Sequence, residues 1–262
     1  MPPSIRTSAQ IVAAALAGRA VTSDHNDDLT IRVTVAELSS VSFLGTSSAQ
    51  PQVGKRNMSS LVITTALGAG IMIDCGEGTQ HQLMRSTDIK ITKISAIMIT
   101  HLHGDHCFGV FGLLSTLSLN GRIAPLPLVG PVGLKEMVTT VLKLSGGEEM
   151  SYPIEYHELD ATLPHDFTLD LYVSTDCVER FFVHASPLTH GMPTMGYVIG
   201  ELSRARRLDA GAARALGATG QALGQLKIGN DVELADGTMI RASDVLQDAP
   251  ARRAVCVLQD TM

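Results

Sequence analysis

Three histidines and one aspartate fall within six residues, at His101, His103, Asp105 and His106. Imidazole and carboxylate side chains together bind zinc and, less selectively, manganese or iron. A lone loop histidine reads as a solvated or capping group; four ligand-type side chains at this spacing read as a metal-binding loop. The loop follows Ile97-Met98-Ile99, an apolar run that reads as a buried strand within a sheet. Continuing that strand would set His101 and His103 on one face, because side chains alternate. The turn at Gly104 would then bring Asp105 and His106 to the same pocket. Farther on, His190 stands just past one strand and before another, where a ligand and a turn histidine are both open. Asp260 ends the apolar run Val255-Cys256-Val257-Leu258, and a carboxylate at a strand tip can bridge two cations. Asp74 precedes the turn Gly76-Glu77-Gly78, a place suited to orienting groups around a metal.

The elements that must position these residues can be read from periodicity. Strands are expected at 30–37 and 42–48, with a hairpin of 60–65 and 69–73 around Gly68. A helix over 80–86 would be capped by Thr79, and 108–119 has helical apolar spacing. A strand at 126–130 leads to a helix that Pro131 would start and that runs to about residue 144. Further strands are expected at 154–157, 168–173 and 180–185. Consecutive strands followed by a helix suit an α/β (α+β) fold whose sheet is built largely of hairpins. His157, His165 and His184 read as surface or supporting groups.

Composition narrows the function. The chain has 262 residues, 45% of them hydrophobic, and a net charge of −6, enough for one large domain or a domain with an arm. An acidic chain does not coat nucleic acid by bulk charge, so RNA binding needs a local basic patch. One candidate is 201–227, where Arg204, Arg206, Arg207 and Arg214 lie among Ala and Gly before Lys227; a solvated helix face is the plain alternative. Cys75, Cys107, Cys177 and Cys256 are scattered, which reads as free thiols in a reducing compartment and gives no support for a zinc ribbon. No apolar run is long enough to span a membrane. Residues 1–23 contain Arg6 and Arg19, many Ala, Ser and Thr, and no acid before Asp24. That is the composition of a mitochondrial transit peptide or of an ordinary extension. The polar break at 24–28 sets the domain at 29–262.

Several stretches together resemble ribonuclease Z, of the metallo-β-lactamase superfamily. They are Phe43-Leu44-Gly45-Thr46, Arg56-Asn57 with Ser59-Ser60, Asp74-Cys75-Gly76-Glu77-Gly78-Thr79-Gln80, and Thr100-His101-Leu102-His103-Gly104-Asp105-His106 with Gly109 and Gly112-Leu113-Leu114. The resemblance runs from about Leu38 to the last residue. It implies a metallo-β-lactamase αββα sandwich and an endonuclease that removes the 3′ trailer from precursor tRNA, leaving a 3′-hydroxyl. It implies two metal ions, zinc foremost, with manganese or another divalent ion as alternatives. His101, His103 and His190 would take the first ion, Asp105 and His106 the second, and Asp260 would bridge them. Asp105 would also be the catalytic residue that orients or deprotonates water. The stretch 201–227 would be an arm that grips tRNA through Arg204, Arg206, Arg207 and Lys227. A homodimer, and a cytoplasmic, mitochondrial or nuclear location rather than secretion, go with the family.

The chain departs from the family pattern at three places. The stretch 217–223 has no proline where the arm's Gly-Pro segment falls. Gln259 stands where the family has glycine, and is expected to crowd the site. The family continues past Asp-Thr with another sheet half, an acid-and-histidine motif and a final metal-binding histidine. The expectation is therefore a C-terminally truncated sandwich: a fragment, a truncated gene product, or a protein whose second half comes from elsewhere. Such a chain is expected to be slow or inactive unless completed, with an unpaired sheet edge. The rival readings are another hydrolase of the same superfamily, acting on a phosphodiester, ester or thioester, and a degenerate, non-catalytic RNA-binding homologue.

Overall fold

Three neighbouring strands of the larger sheet are buried along their whole length, and the other layers are arranged around them. The structure is a computed structural model that describes residues 32–35, 37–50, 52, 55–147, 150–174, 177–202, 206–248 and 251–261. The expected extension at 1–28, and Arg204, lie outside the described residues.

In chain order the first unit holds β1 (Arg32–Val35), β2 (Leu38–Gly45), β3 (Ser60–Thr65), β4 (Gly70–Ile73), α1 (Thr79–Arg85), β5 (Ile94–Met98), α2 (Gly104–Cys107), α3 (Val110–Leu119), β6 (Leu126–Pro131), α4 (Leu134–Leu144), β7 (Ile154–Leu159), β8 (His165–Ser174), β9 (Cys177–Leu188) and β10 (Thr194–Glu201). The second unit, Leu202–Arg253, holds β11 (Arg207–Leu208), α5 (Ala210–Ala215), α6 (Gln221–Lys227), β12 (Val232–Glu233), β13 (Met239–Ile240), α7 (Ala242–Val245) and β14 (Leu246–Gln247). Strand β15 (Ala254–Val257) belongs again to the first unit.

The larger sheet has the order β2-β3-β4-β5-β6-β7. Its first three strands are antiparallel, as the hairpin reading expects, but β4 through β7 run parallel. The hairpin expectation is thus corrected for half the sheet. Parallel neighbours need crossovers, and α1, α3 and α4 lie in the connections that supply them. In the second sheet β9 pairs antiparallel with β8 and β10, takes β1 in parallel along Cys177–Arg180, and β10 pairs with β15.

Alternation along the larger sheet makes two cores. Ile63, Ile71, Ile73 and Met98 meet Leu171, Phe181, Val183 and Tyr197 of the second sheet. Val62, Met72, Ile97 and Ile99 meet Leu83, Leu113, Leu117 and Val138 of the helices. The described residues of this unit stack three layers, helices on sheet on sheet. Each fully buried aliphatic side chain contributes about 1.5–3 kcal/mol, so the site loops grow from a stiff base.

Three local expectations change. Thr79 is the first residue of α1 and makes no side-chain cap; Gly78, with φ of 79°, is the N-cap. In the stretch 108–119 the helix α3 begins only at Val110, and Phe108 and Gly109 part it from the short α2 before it. Pro131 closes β6, where it pairs with Leu159, and α4 begins three residues later, after Gly133 at φ 103°. A proline can end a strand as readily as it starts a helix.

The second unit has its own small core of Ala213, Ala218, Leu226, Ile240, Ala242 and Val245. Asp209 caps α5 by accepting from the Ala212 amide at 2.9 Å. Of the stretch expected as an arm, 201–227, Glu201 ends β10 and the rest is the first half of this unit, which continues to Arg253.

Candidate metal centre

The histidine loop does not continue the strand. β5 ends at Met98, and the next residues are held from three sides. The Ile99 amide donates to Val129 O at 2.8 Å, the Met195 amide donates to Thr100 O at 2.9 Å, and the buried Tyr197 hydroxyl donates to Ile99 O at 2.7 Å. The expectation that strand alternation aligns His101 and His103 is corrected: an irregular loop brings them together, with ring centroids 4.8 Å apart.

Six side chains converge at the ends of the strands. His101 Nε2 lies 3.0 Å from His103 Nδ1, and His190 Nε2 lies 3.4 Å from the same atom. Asp260 Oδ2 is 3.3 Å from His106 Nε2 and 3.7 Å from His101 Nε2, while Asp105 Oδ2 is 3.6 Å from His106 Nε2. Two triads emerge, His101–His103–His190 and His101–His106–Asp260, each able to offer its ligand atoms to one ion. Ligands about 2.0–2.1 Å from a tetrahedral ion stand about 3.3–3.4 Å from one another, which matches these separations.

The supporting hydrogen bonds fix which nitrogens face inward. Thr100 Oγ1 donates to Asp74 Oδ2 at 2.9 Å, so it accepts from His101 Nδ1 at 3.1 Å and leaves His101 Nε2 bare. His106 Nδ1 donates to the same Asp74 oxygen at 2.6 Å, which leaves its Nε2 bare as well. Asp74 is fully buried, sits at φ 57°, and also accepts from the Thr100 amide. Orienting partners of this kind hold the ring and tautomer of a metal-binding histidine.

Electrostatics favour a cation here. Burial first, and then the neighbouring imidazoles of His106 and His103, depress His101 to about 4, so it is a neutral donor at neutral pH. Burial would also depress His106, but the hydrogen bond and charge of Asp74, with Asp105 and Asp260 nearby, outweigh it and raise its pKa. Burial pushes Asp105 upward; the Ala49 amide, donating to Oδ2 at 2.7 Å, and His106 outweigh it and hold Asp105 below its usual value. The neutral His101 lone pair and the ionised Asp105 carboxylate are the kind of donor a divalent cation requires.

Two cavities open on this nest. One, of about 370 Å³, is lined by His106, Asp260, Gln259, Ser59 and Ser47 among others. The other, of about 540 Å³, is lined by His103, Asp105, His190, Asp260, Glu77 and Phe108 among others. Gln259, expected to crowd the ligands, instead accepts from Ser59 Oγ at 2.5 Å on the wall of the first cavity. Arg206, Arg207 and Lys227 are exposed in the second unit, where α6 packs against β11 and Arg206 lies 3.3 Å from Asp248. His165 bonds to Asp160 O and His184 to Asp166, and neither enters the nest. Sequence reasoning missed Thr100, Tyr197 and Ser59. The signal that could have found Thr100 was its position directly before His101; nothing local marks the other two.

Facing sheets, helices on one of them, and a nest of imidazoles and acids at the strand ends define a protein of the metallo-β-lactamase fold. A family model described as anti-Pycsar protein Apyc1 matches residues 39–152. A ribonuclease Z of Streptococcus equi subsp. equi is 40% identical over 224 residues, which span 84% of this chain and 69% of that one. A ribonuclease Z of Gloeothece citriformis is 38% identical over 85% of this chain and 66% of its own. The crystal structure of the short form of human tRNase Z superposes with a TM-score of 0.51 at 36% identity, over 61% of this chain and 64% of that chain. The chain belongs to the ribonuclease Z family. It spans about two thirds of the length of these relatives.

Proposed function

We propose that this chain is a metal-dependent endoribonuclease that removes the 3′ trailer from precursor tRNA and leaves a 3′-hydroxyl on the tRNA. The observation that carries the reading is the pair of triads meeting at His101 beside the Asp260 carboxylate. Family membership supports the substrate. We infer zinc, two ions per chain, from the nitrogen-rich donor set, with manganese as the alternative. When bound, such ions supply a nucleophilic water near neutral pH and polarise a phosphoryl oxygen.

The chain's own residues do the rest. His101, His103 and His190 would hold one ion; Asp105, His106 and Asp260 would hold the other. Asp105, kept ionised by the Ala49 amide and His106, would take the proton of the attacking water. Asp74 fixes the His106 ring while accepting two bonds from Thr100. Arg204, Arg206, Arg207 and Lys227 would pair with tRNA phosphates, which set position rather than sequence. The family resemblance supports a homodimer, testable by light scattering. Precursor tRNA as substrate supports a cytoplasmic, mitochondrial or nuclear location, and no helix among the described residues is long and apolar enough to cross a membrane.

The test is single-turnover cleavage of a precursor tRNA by the zinc-loaded chain, beside hydrolysis of bis-p-nitrophenyl phosphate. The reading expects trailer removal that a chelator stops and that Asp105→Ala lowers by at least about a hundredfold. Hydrolysis of the small diester without any cut in the RNA would transfer the assignment to another hydrolase of the same fold.

A further inference from the structure

We propose that Gln259 is a substrate-positioning residue whose side-chain Nε2 donates a hydrogen bond to a non-bridging oxygen of a phosphodiester seated at the metal centre. The proposal deepens the nuclease reading and rests on it. Gln259 Oε1 is engaged by Ser59 Oγ at 2.5 Å, which fixes the plane of the carboxamide and turns its NH₂ away from Ser59. Among the described residues that NH₂ has no partner. Ser59 is itself anchored: it is buried, and its carbonyl accepts from the Gly76 amide at 3.1 Å, in the loop that packs on Asp105.

Placement completes the case. Consecutive residues of a strand face opposite ways, yet Gln259 and Asp260 line the same cavity as His106. Asp260 stands in the left-handed region, at φ 45°, so the chain has left the extended conformation there. The acids of the nest, Asp105 and Asp260, offer an incoming phosphate only repulsion until cations neutralise them. A neutral amide donor on the adjoining wall gives the anion a bond that costs no extra charge, and donors to anionic oxygens make the stronger class of hydrogen bond. A structural tether alone would use Oε1 and leave the NH₂ idle.

The experiment uses the zinc-loaded full chain with dimethyl phosphate as the probe. Titration is followed by the side-chain amide signals of Gln259 in nitrogen–proton correlation spectra. The signals are expected to move with the probe, and Gln259→Met to weaken its binding about tenfold, with zinc content and melting temperature unchanged. Ser59→Ala breaks the same tether but keeps the donor, so its binding should fall less than about threefold. Static amide signals, a Gln259→Met variant that binds like the parent, or loss of zinc from that variant would each overturn the proposal. An expected titration with no cleavage of precursor tRNA would sink the nuclease reading and leave the anion site standing. Cleavage with static amide signals would do the reverse.

Discussion

Asp74 sits 26 residues before Thr100, and the two share a pair of hydrogen bonds on which the inner orientation of His101 and His106 depends. Asp74→Asn keeps a side chain that tolerates a positive φ and an acceptor for the Thr100 amide, but removes the charge facing His106. Zinc affinity, measured by competition with a chelator, is expected to fall about 10- to 100-fold, with the fold retained. A separate buried acid, Glu179, gives a pH signature. Burial holds its carboxyl above the ordinary value, against the hydrogen bond from Thr65 Oγ1 at 2.5 Å. The unfolded chain releases this proton at the lower value, so stability drops as pH rises through the window between the two and stays lower above it. Glu179→Gln keeps the acceptor and removes the titration. Denaturant melts should show the variant more stable than the parent near neutral pH, with no such gain in acid below the ordinary carboxylate value. At this scale the cluster was legible in the sequence because His101, His103, Asp105 and His106 are crowded into one loop. The roles of Thr100 and Ser59 were not, because their partners Asp74 and Gln259 are 26 and 200 residues away.

Among the elements, the loops after β4 and β5 are built against each other backbone to backbone. The Cys75 amide donates to His106 O at 2.7 Å, and the Gly109 amide donates to Cys75 O at 2.8 Å. A Cβ placed on Gly76 would stand 2.2 Å from Asp105 O, closer than any side chain can approach. Gly76→Ala must therefore push the two loops apart. We expect a loss of more than about 2 kcal/mol in denaturant stability and loss of zinc binding, whereas Gly121→Ala, on an open turn at φ 75°, should cost about 1–2 kcal/mol of backbone strain and spare zinc. Most strands were readable from apolar runs, but their directions were not. The hairpin of β3 and β4 suggested antiparallel pairing throughout. The parallel half depends on helices packing back over the sheet, a tertiary fact that strand periodicity does not carry. Pro131 misled for a similar reason: its fixed φ serves a strand end and a first helical turn equally.

The whole molecule divides its charge unevenly. The net charge is −6, yet Leu202–Arg253 carries eight Lys and Arg against six Asp and Glu. Replacing Arg206, Arg207 and Lys227 together with Ala is expected to weaken precursor-tRNA binding and to lower the salt slope by about one unit for each phosphate that is no longer neutralised. Hydrolysis of a small diester should be unchanged, and filter binding across a salt series distinguishes the two effects. The basic run 204–207 was legible, but the extent of this unit was not. Its strands are two residues long, and its core is made of Ala213, Ala218 and Ala242 as much as of Leu226 and Ile240, so no periodic signal marks where it closes.

With its Nδ1 committed to Thr100, His101 has one free nitrogen, and that nitrogen is claimed by both triads. An ion held by His101, His103 and His190 therefore takes that donor from the other triad, and a second ion is left with Asp105, His106 and Asp260. A calorimetric zinc titration of the metal-free chain should resolve two unequal steps, and a single step with two identical affinities would show that the nest rearranges on loading. Loading order is thus set by one imidazole, and at limiting zinc the half-filled state should be the common one.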